Sequence, residues 1–383
     1  MIDPLTSLRF FAAGAIVYHH LQGKFGLPLS TVNVGIAVSF FFVLSGFILC
    51  YVYSDIDNAG KARRFYLARF ARIWPLHAAT LLFAALVLTP GYTDHGAGAF
   101  VANALLLQSW WPSLASCFSY NWLSWSISNE AFFYLLFPLV MLWRRQFGAI
   151  FFAWVALLLA VFLVGGNLEP TPPPATATNV AGWYILVQMG PAVRFFEFLF
   201  GMGVGLVYLK HKNLQMPLWA WSLIEVLAVA AVVVYATTIW QVLYFVAPGL
   251  GNVFIPWYGL NGGFLVFGFA ILCFAYRGGL LSRLLSLPFF VLLGEISFST
   301  YMIHQLVIRF WEGLGWLATD WSPLGLAGIL TTIYVGSYLS WRFFERPAQR
   351  AILALGQRRA ELASAPELAP YRTSVATGHP GVR

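Results

Sequence analysis

Charge is scarce in this sequence of 383 residues. Asp, Glu, Lys and Arg together make up 9%, where a soluble domain carries about 25%. That scarcity excludes an ordinary water-soluble fold, because 60% of the residues are hydrophobic and the mean hydropathy is +0.75. Cysteine is nearly absent: Cys50 and Cys273 fall in apolar runs and Cys117 in a loop. Three isolated thiols exclude a disulfide framework and a cysteine-based metal site. Acidic residues number 14 against 22 Lys and Arg, a net charge of +8. Such an excess suits nucleic acid, but its placement along the chain argues against that partner. There is no internal repeat, Walker loop, GxGxxG signature or metal-ligand cluster. No cleavable signal peptide is expected, since Asp3 opens the chain without a basic leader and the first apolar segment carries Arg9 and His20.

What the sequence does have is long apolar runs. A membrane span needs about 20 mainly apolar residues. Spans are predicted near 5–24, 33–53, 74–90, 123–143, 147–165, 187–209, 218–239, 260–276, 288–311 and 325–344. The expected fold is therefore an all-α polytopic membrane protein with about ten transmembrane helices. Lys61, Arg63, Arg64, Arg69 and Arg72 follow span 2; Arg144 and Arg145 follow span 4. Lys210 and Lys212 follow span 6; Arg277 and Arg283 follow span 8; Arg342, Arg346, Arg350, Arg358 and Arg359 lie at or beyond the end of span 10. The alternate loops are nearly bare, with Lys24 alone in the first. Basic loops stay in the cytoplasm, so both termini are expected there. The expected location is a bacterial inner (plasma) membrane, with membrane lipid as surroundings and no nucleic-acid partner. The division expected is a membrane domain over 1–350 and a polar, disordered cytoplasmic tail over 351–383. Residues 170–174, Pro-Thr-Pro-Pro-Pro, read as extended. The loop 91–122 carries Trp110, Trp111, Tyr120 and Trp122, suited to an interfacial belt or to a sugar platform.

Ionisable residues inside spans are costly and usually mark function. Arg9 and His20 share the first span. Eleven positions carry a helix about 20° past three full turns, so the two side chains share one stripe about 16 Å apart along the axis. His19 points about 100° away from it. A neutral imidazole at His20 is able to take a proton from a hydroxyl or to attack an acyl group itself; the alternative is a buried histidine bonded to a carbonyl. Ser126, Glu130 and Tyr134 recur every fourth residue and so line one face. Glu130 is a candidate to orient His20, as the acid does in a triad, or else a structural ion-pair partner. Arg69 and Arg72 sit three apart, suited to phosphate groups or to topology alone. Ser45-Gly46 reads as close helix packing. Ser297, Tyr301 and His304 line a cavity or hydrogen-bond across helices. Arg194 and Glu197 read as an internal ion pair, and Glu345-Arg346-Pro347 as a helix stop with local charge pairing.

Taken together, these segments resemble the acyltransferase-3 family of integral membrane acyltransferases, over about residues 5–347. The resemblance is carried by Arg9 and His20, by Phe41 to Phe47, and by Arg69, Arg72, Ile73 and Pro75. It continues with Trp125 to Tyr134, with Ile296, Ser297, Tyr301 and His304, and with Phe344, Glu345 and Pro347. Many members carry a second acid after the first, where this chain has Ala131. The resemblance points to the stand-alone branch, similar to exopolysaccharide O-acetyltransferases, without an appended hydrolase-like domain.

The resemblance implies a cytoplasmic acyl-CoA donor, most simply acetyl-CoA, and no permanently bound cofactor or metal. It implies a sugar hydroxyl acceptor on a cell-surface or exported polysaccharide or its lipid-linked precursor, with polysaccharide-assembly proteins as candidate partners. His20 and Glu130 would be catalytic. Arg9, Arg69 and Arg72 would bind the donor. Ser45, Ser126, Asn129, Tyr134, Ser297, Tyr301 and His304 are candidate cavity-lining residues. The competing class is a transporter or flippase for a glycolipid or acyl group, against which stands the lack of repeated halves with paired broken spans. A non-catalytic export subunit would leave the His–Arg–Glu set unused.

Overall fold

The computed structural model describes residues 2–27, 34–88, 96–168, 182–246 and 257–364. The proline run 170–174 and the chain beyond 364 lie outside them. Every regular element among the described residues is helical, in keeping with an all-α polytopic membrane protein. Seven helices there are long and apolar enough to cross a membrane, or eight if one bent pair counts as a single span. The two remaining expected spans are α1 (Asp3–Leu21) and α2 (Ala37–Val52). α2 is apolar but only 16 residues long, and α1 is interrupted by polar residues; both pack largely against protein.

α1 starts at Asp3-Pro4, where a proline forfeits no helical bond and an acid faces the positive helix end. α2 lies against α9 (Pro191–His211), the most extensively packed pair in the bundle. Their backbones approach so closely that a Cβ at Gly46 would sit 2.1 Å from the Phe198 carbonyl oxygen, and one at Gly201 would sit 2.0 Å from that of Val43. The small residue beside Ser45 therefore serves helix packing.

α3 (Ala59–Val87) starts at Ala59 rather than at 74. Asn58 caps it by accepting from Lys61 N at 3.0 Å, so the residues expected as a basic loop form about four further helical turns. α4 (Ala97–Ala104), α5 (Leu114–Cys117) and a 3-10 turn at Gln108–Trp110 fold over the opposite end of the bundle. They are tied down by polar contacts to α6 (Trp125–Leu142) and its approach. Gln108 donates to Ser124 O at 2.8 Å, and Ser109 Oγ lies 2.7 Å from Ser128 Oγ. Trp110 and Trp111 face outward, while Trp122 faces inward.

α7 (Phe147–Leu168), α8 (Gly182–Met189), α10 (Leu218–Val246), α11 (Phe264–Ala275) and α12 (Leu280–Leu285) complete the bundle. The span expected over 288–311 is not one helix. α13 (Pro288–Glu295) and α14 (Ser297–Gly313) meet at a 55° bend, where Ser297 Oγ donates to the Gly294 carbonyl at 2.7 Å. A hydroxyl that takes up a backbone carbonyl lets a helix break at that point. Nor does Glu345-Arg346-Pro347 stop the chain's last helix. α15 (Pro323–Ser340) runs through a π turn at Trp341–Glu345 into α16 (Arg346–Ser364), which packs along α3. The wide turn just ahead of Pro347 accommodates a residue without an N–H. The tail expected from 351 is thus helical as far as Ser364.

The basic connections gather at one end of the bundle. Arg144 donates to Ser54 O at 2.5 Å, and Arg277 lies 3.8 Å from Asp3. This end is called the lower end below.

Candidate active site

Two cavities are stacked inside the bundle, with a wider mouth beneath them. The mouth, about 570 Å³, is lined by Arg9, Arg69, Arg72, Trp341 and Arg346, among others. The lower cavity, about 150 Å³, shares Arg9, Arg69 and Arg72 with the mouth and adds Ser45, Glu130 and Tyr134. The upper chamber, about 230 Å³, holds His19, His20, Trp122, Gln188, Arg194 and Asn261.

The three arginines come from two helices. Arg9 lies two turns into α1; Arg69 and Arg72 lie one turn apart inside α3. Arg69 donates to the Tyr53 hydroxyl at 3.2 Å and lies over the Tyr53 and Tyr134 rings at 5.5 and 5.9 Å. Arg72 pairs with Glu345 on the π turn and lies over the Phe298 ring at 5.0 Å. Ser299 Oγ donates to the other oxygen of Glu345 at 2.7 Å. The charge pairing of Glu345 is therefore with α3, 273 residues away, and not local. Glu130 faces the arginine cluster across the lower cavity and accepts from the Tyr134 hydroxyl at 2.7 Å.

Three turns up α1, His20 sits in the last turn at the upper end. Its Nδ1 lies 3.0 Å from Nε2 of His304 on α14. His304 Nδ1 in turn lies 2.9 Å from the Thr300 carbonyl oxygen. A carbonyl only accepts, so His304 Nδ1 carries the hydrogen and, in the neutral ring, Nε2 carries the lone pair. His20 must then donate from Nδ1, which leaves its Nε2 as the basic nitrogen. This assignment follows from the hydrogen-bond network. It is the logic of a triad, with a neutral imidazole in place of the acid. The sequence-based expectation that Glu130 orients His20 is thereby corrected: Tyr134 engages Glu130 below, and His304 engages His20 above.

Val38 and Tyr301 line both cavities and form the wall between them. The Tyr301 hydroxyl lies 2.7 Å from Ser126 Oγ and donates to Leu123 O at 3.2 Å. Ser45, Ser126, Tyr134, Ser297 and Tyr301 line the lower cavity. Asn129 lines none of these three cavities; it is buried, accepts from Ser109 Oγ at 2.9 Å and donates to Met189 O at 2.9 Å, holding the cap of the bundle. His304 lines none of them either and reaches the site through His20. Sequence reasoning did not gather Gln188, Asn261 or Arg194 into the site. Asn261 and Gln188 carry no charge to signal them. Arg194 did carry a signal, as a cation at the start of a span, and its pairing with Glu197 at 3.3 Å drew attention away from the chamber.

Comparison with known proteins fits this arrangement. A family described as an acyltransferase domain matches residues 4–342. The chain is 30% identical to "Acyltransferase MdmB" of Streptomyces mycarofaciens, across 96% of this chain and 95% of that one. It is 25% identical to "Nodulation protein 10" of Rhizobium leguminosarum bv. viciae, across 93% and 95%. No solved structure matches it.

Proposed function

The chain belongs to the acyltransferase domain family and is a multi-pass membrane acyltransferase, and from that premise we propose that it moves an acetyl group from cytoplasmic acetyl-CoA to a sugar hydroxyl. The acceptor is a cell-surface or exported polysaccharide or its lipid-linked precursor, and the membrane is the bacterial inner membrane. The observation that carries the reading is the stacking of an arginine-lined cavity beneath a histidine chamber, with Val38 and Tyr301 as their common wall.

The donor's phosphates meet Arg9, Arg69 and Arg72 at the mouth, where charge-assisted and bidentate bonds are strongest. Basic loops hold that end in the cytoplasm. Glu130 keeps the three guanidiniums gathered when no donor is bound. The pantetheine arm runs along α1 past Tyr301, and about 16 Å of helix separates the anchoring end from the reactive end. In the chamber His20 Nε2 takes the proton of the acceptor hydroxyl as the new C–O bond forms at the thioester carbonyl. Collapse of the tetrahedral intermediate breaks the C–S bond, and the departing thiolate receives that proton from His20. His304 keeps the ring oriented and shares the charge while His20 is protonated.

The test is acetyl-CoA labelled in the acetyl group, offered with a polysaccharide acceptor to lipid-reconstituted protein. The expected result is label in the acceptor with one CoA thiol released per transfer. Absence of CoA release from well-folded protein would sink the reading. Proton NMR of polysaccharide from cells with and without the gene identifies the acceptor by the acetyl signals that disappear.

A further inference from the structure

The upper chamber has a base but, on the account above, nothing to receive the negative charge that forms on the carbonyl oxygen. We propose that Arg194 is that group: the catalytic cation that stabilises the oxyanion of acyl transfer. The inference rests on the acyl-transfer reading of the same chamber.

Arg194 lies in the first turn of α9, 2% exposed, and lines the chamber that holds His20. Its guanidinium lies over the Phe42 and Trp125 rings at 4.9 and 5.8 Å. Glu197, one turn on and 1% exposed, approaches it at 3.3 Å. The two members of the pair are not equivalent. Arg194 lines the chamber and Glu197 does not, so the pair turns its positive member toward the reacting space. Among the described residues lining the chamber, Arg194 is the one with a permanent charge. A second buried donor points to the same kind of ligand atom. Gln188, 3% exposed and also lining the chamber, has its Oε1 engaged by Asn261 Nδ2 at 3.1 Å and its Nε2 without a partner. Arg194 Nε and Nη1 likewise have no hydrogen-bond partner.

The placement opposes stability. A buried ion pair is commonly no more stable than well-packed apolar residues in its place. A cation in the first turn also faces the positive end of its helix. A feature that costs stability inside a membrane and borders a reactive imidazole is explained by use. In the transfer step the hydroxyl oxygen bonds to the carbonyl carbon while its proton goes to His20 Nε2. The carbonyl π pair moves onto oxygen, and that oxyanion is what Arg194 faces. When the C–S bond breaks, the pair returns to the carbonyl and the cation is again balanced by Glu197 alone. A preorganised donor of this kind is worth about 10²–10³ in turnover.

The experiment removes the pair as a unit, leaving no unpaired buried charge. Arg194→Met/Glu197→Met and Arg194→Gln/Glu197→Gln are compared with wild type in lipid vesicles, reading kcat, KM for acetyl-CoA, and the fraction folded by thermal unfolding. The expected result is folded protein with an unchanged KM and a kcat about 10²–10³ lower. Wild-type kcat in either folded double variant overturns the inference. So does loss of the folded state in both, which would make the pair structural. Failure of the acyl-transfer reading looks different, because the wild-type protein itself would then release no CoA.

Discussion

The lower cavity and the upper chamber are built from opposite materials. The lower one gathers three guanidiniums and a carboxylate from α1, α3 and α6, with Arg69 and Arg72 lying over aromatic rings and Glu130 bonded to Tyr134. The upper one is walled mainly by apolar and aromatic side chains around two histidines, two amides and one cation, with His304 bonded to His20 from behind. Charge spread over many groups holds an anion without activating anything. An imidazole base in largely apolar surroundings, by contrast, is placed to accept a proton where electrostatic interactions are strong. On the proposed reading, binding and chemistry are separated along the bundle axis, so the two cavities should fail in different ways when they are altered.

The largest expected effect is in the upper chamber. His20→Ala should lower kcat by about 10²–10⁴ or more while acetyl-CoA still binds, as read by calorimetry on the reconstituted protein. Equal loss of donor affinity would break the separation of the two cavities. His304→Leu comes next. It removes the acceptor for His20 Nδ1 and leaves the base free to turn, so kcat should fall by roughly 10²-fold, the low end of what a positioned base contributes, with donor affinity kept. If His304→Leu turns over as fast as wild type, the imidazole pair is only packing.

Changes in the lower cavity should appear in KM. Arg69→Gln loses a cation whose present partner is a tyrosine hydroxyl, so it strands no buried acid. Its KM for acetyl-CoA should rise about tenfold, the worth of one charge-assisted bond, with kcat little changed. Arg72 is a poorer probe, because its removal leaves Glu345, 2% exposed, without its cation. A fall in kcat at constant KM for Arg69→Gln would move that residue out of donor binding.

The same contrast explains how much the sequence revealed. The gathering of Arg9, Arg69 and Arg72 at one end of the bundle was legible because guanidiniums beside apolar spans are few and all three fall on the same side of the expected topology. The order of the spans was legible because each expected segment holds a helix long or apolar enough to announce itself. The early start of α3 was not legible in hydropathy, since its first turns are basic; the cap at Asn58 was the local sign. The bend at Ile296 turns on one serine hydroxyl, and apolar runs pass straight through it. The partner of His20 was the real omission. His304 is 284 residues away and uncharged as a ring, so neither periodicity nor charge connects the two. Glu130 attracted that role because an acid was sought for a base, although Tyr134, four residues on, was already its neighbour on the same face.

The smallest expected effect tests the wall itself. Tyr301 is shared by both cavities, so either its ring or its hydroxyl could matter. Tyr301→Phe keeps the ring and removes the hydroxyl bonded to Ser126 and Leu123 O. Ser126 Oγ still has Leu123 O at 2.9 Å, so the substitution strands no donor. Its cost should be about 1 kcal/mol of stability, read as a lower thermal midpoint, with kcat and KM within a few-fold of wild type. That outcome makes Tyr301 a partition whose ring counts. A collapse of kcat to the level of His20→Ala would instead put the hydroxyl among the reacting groups. The chemistry would then begin at the wall and not above it.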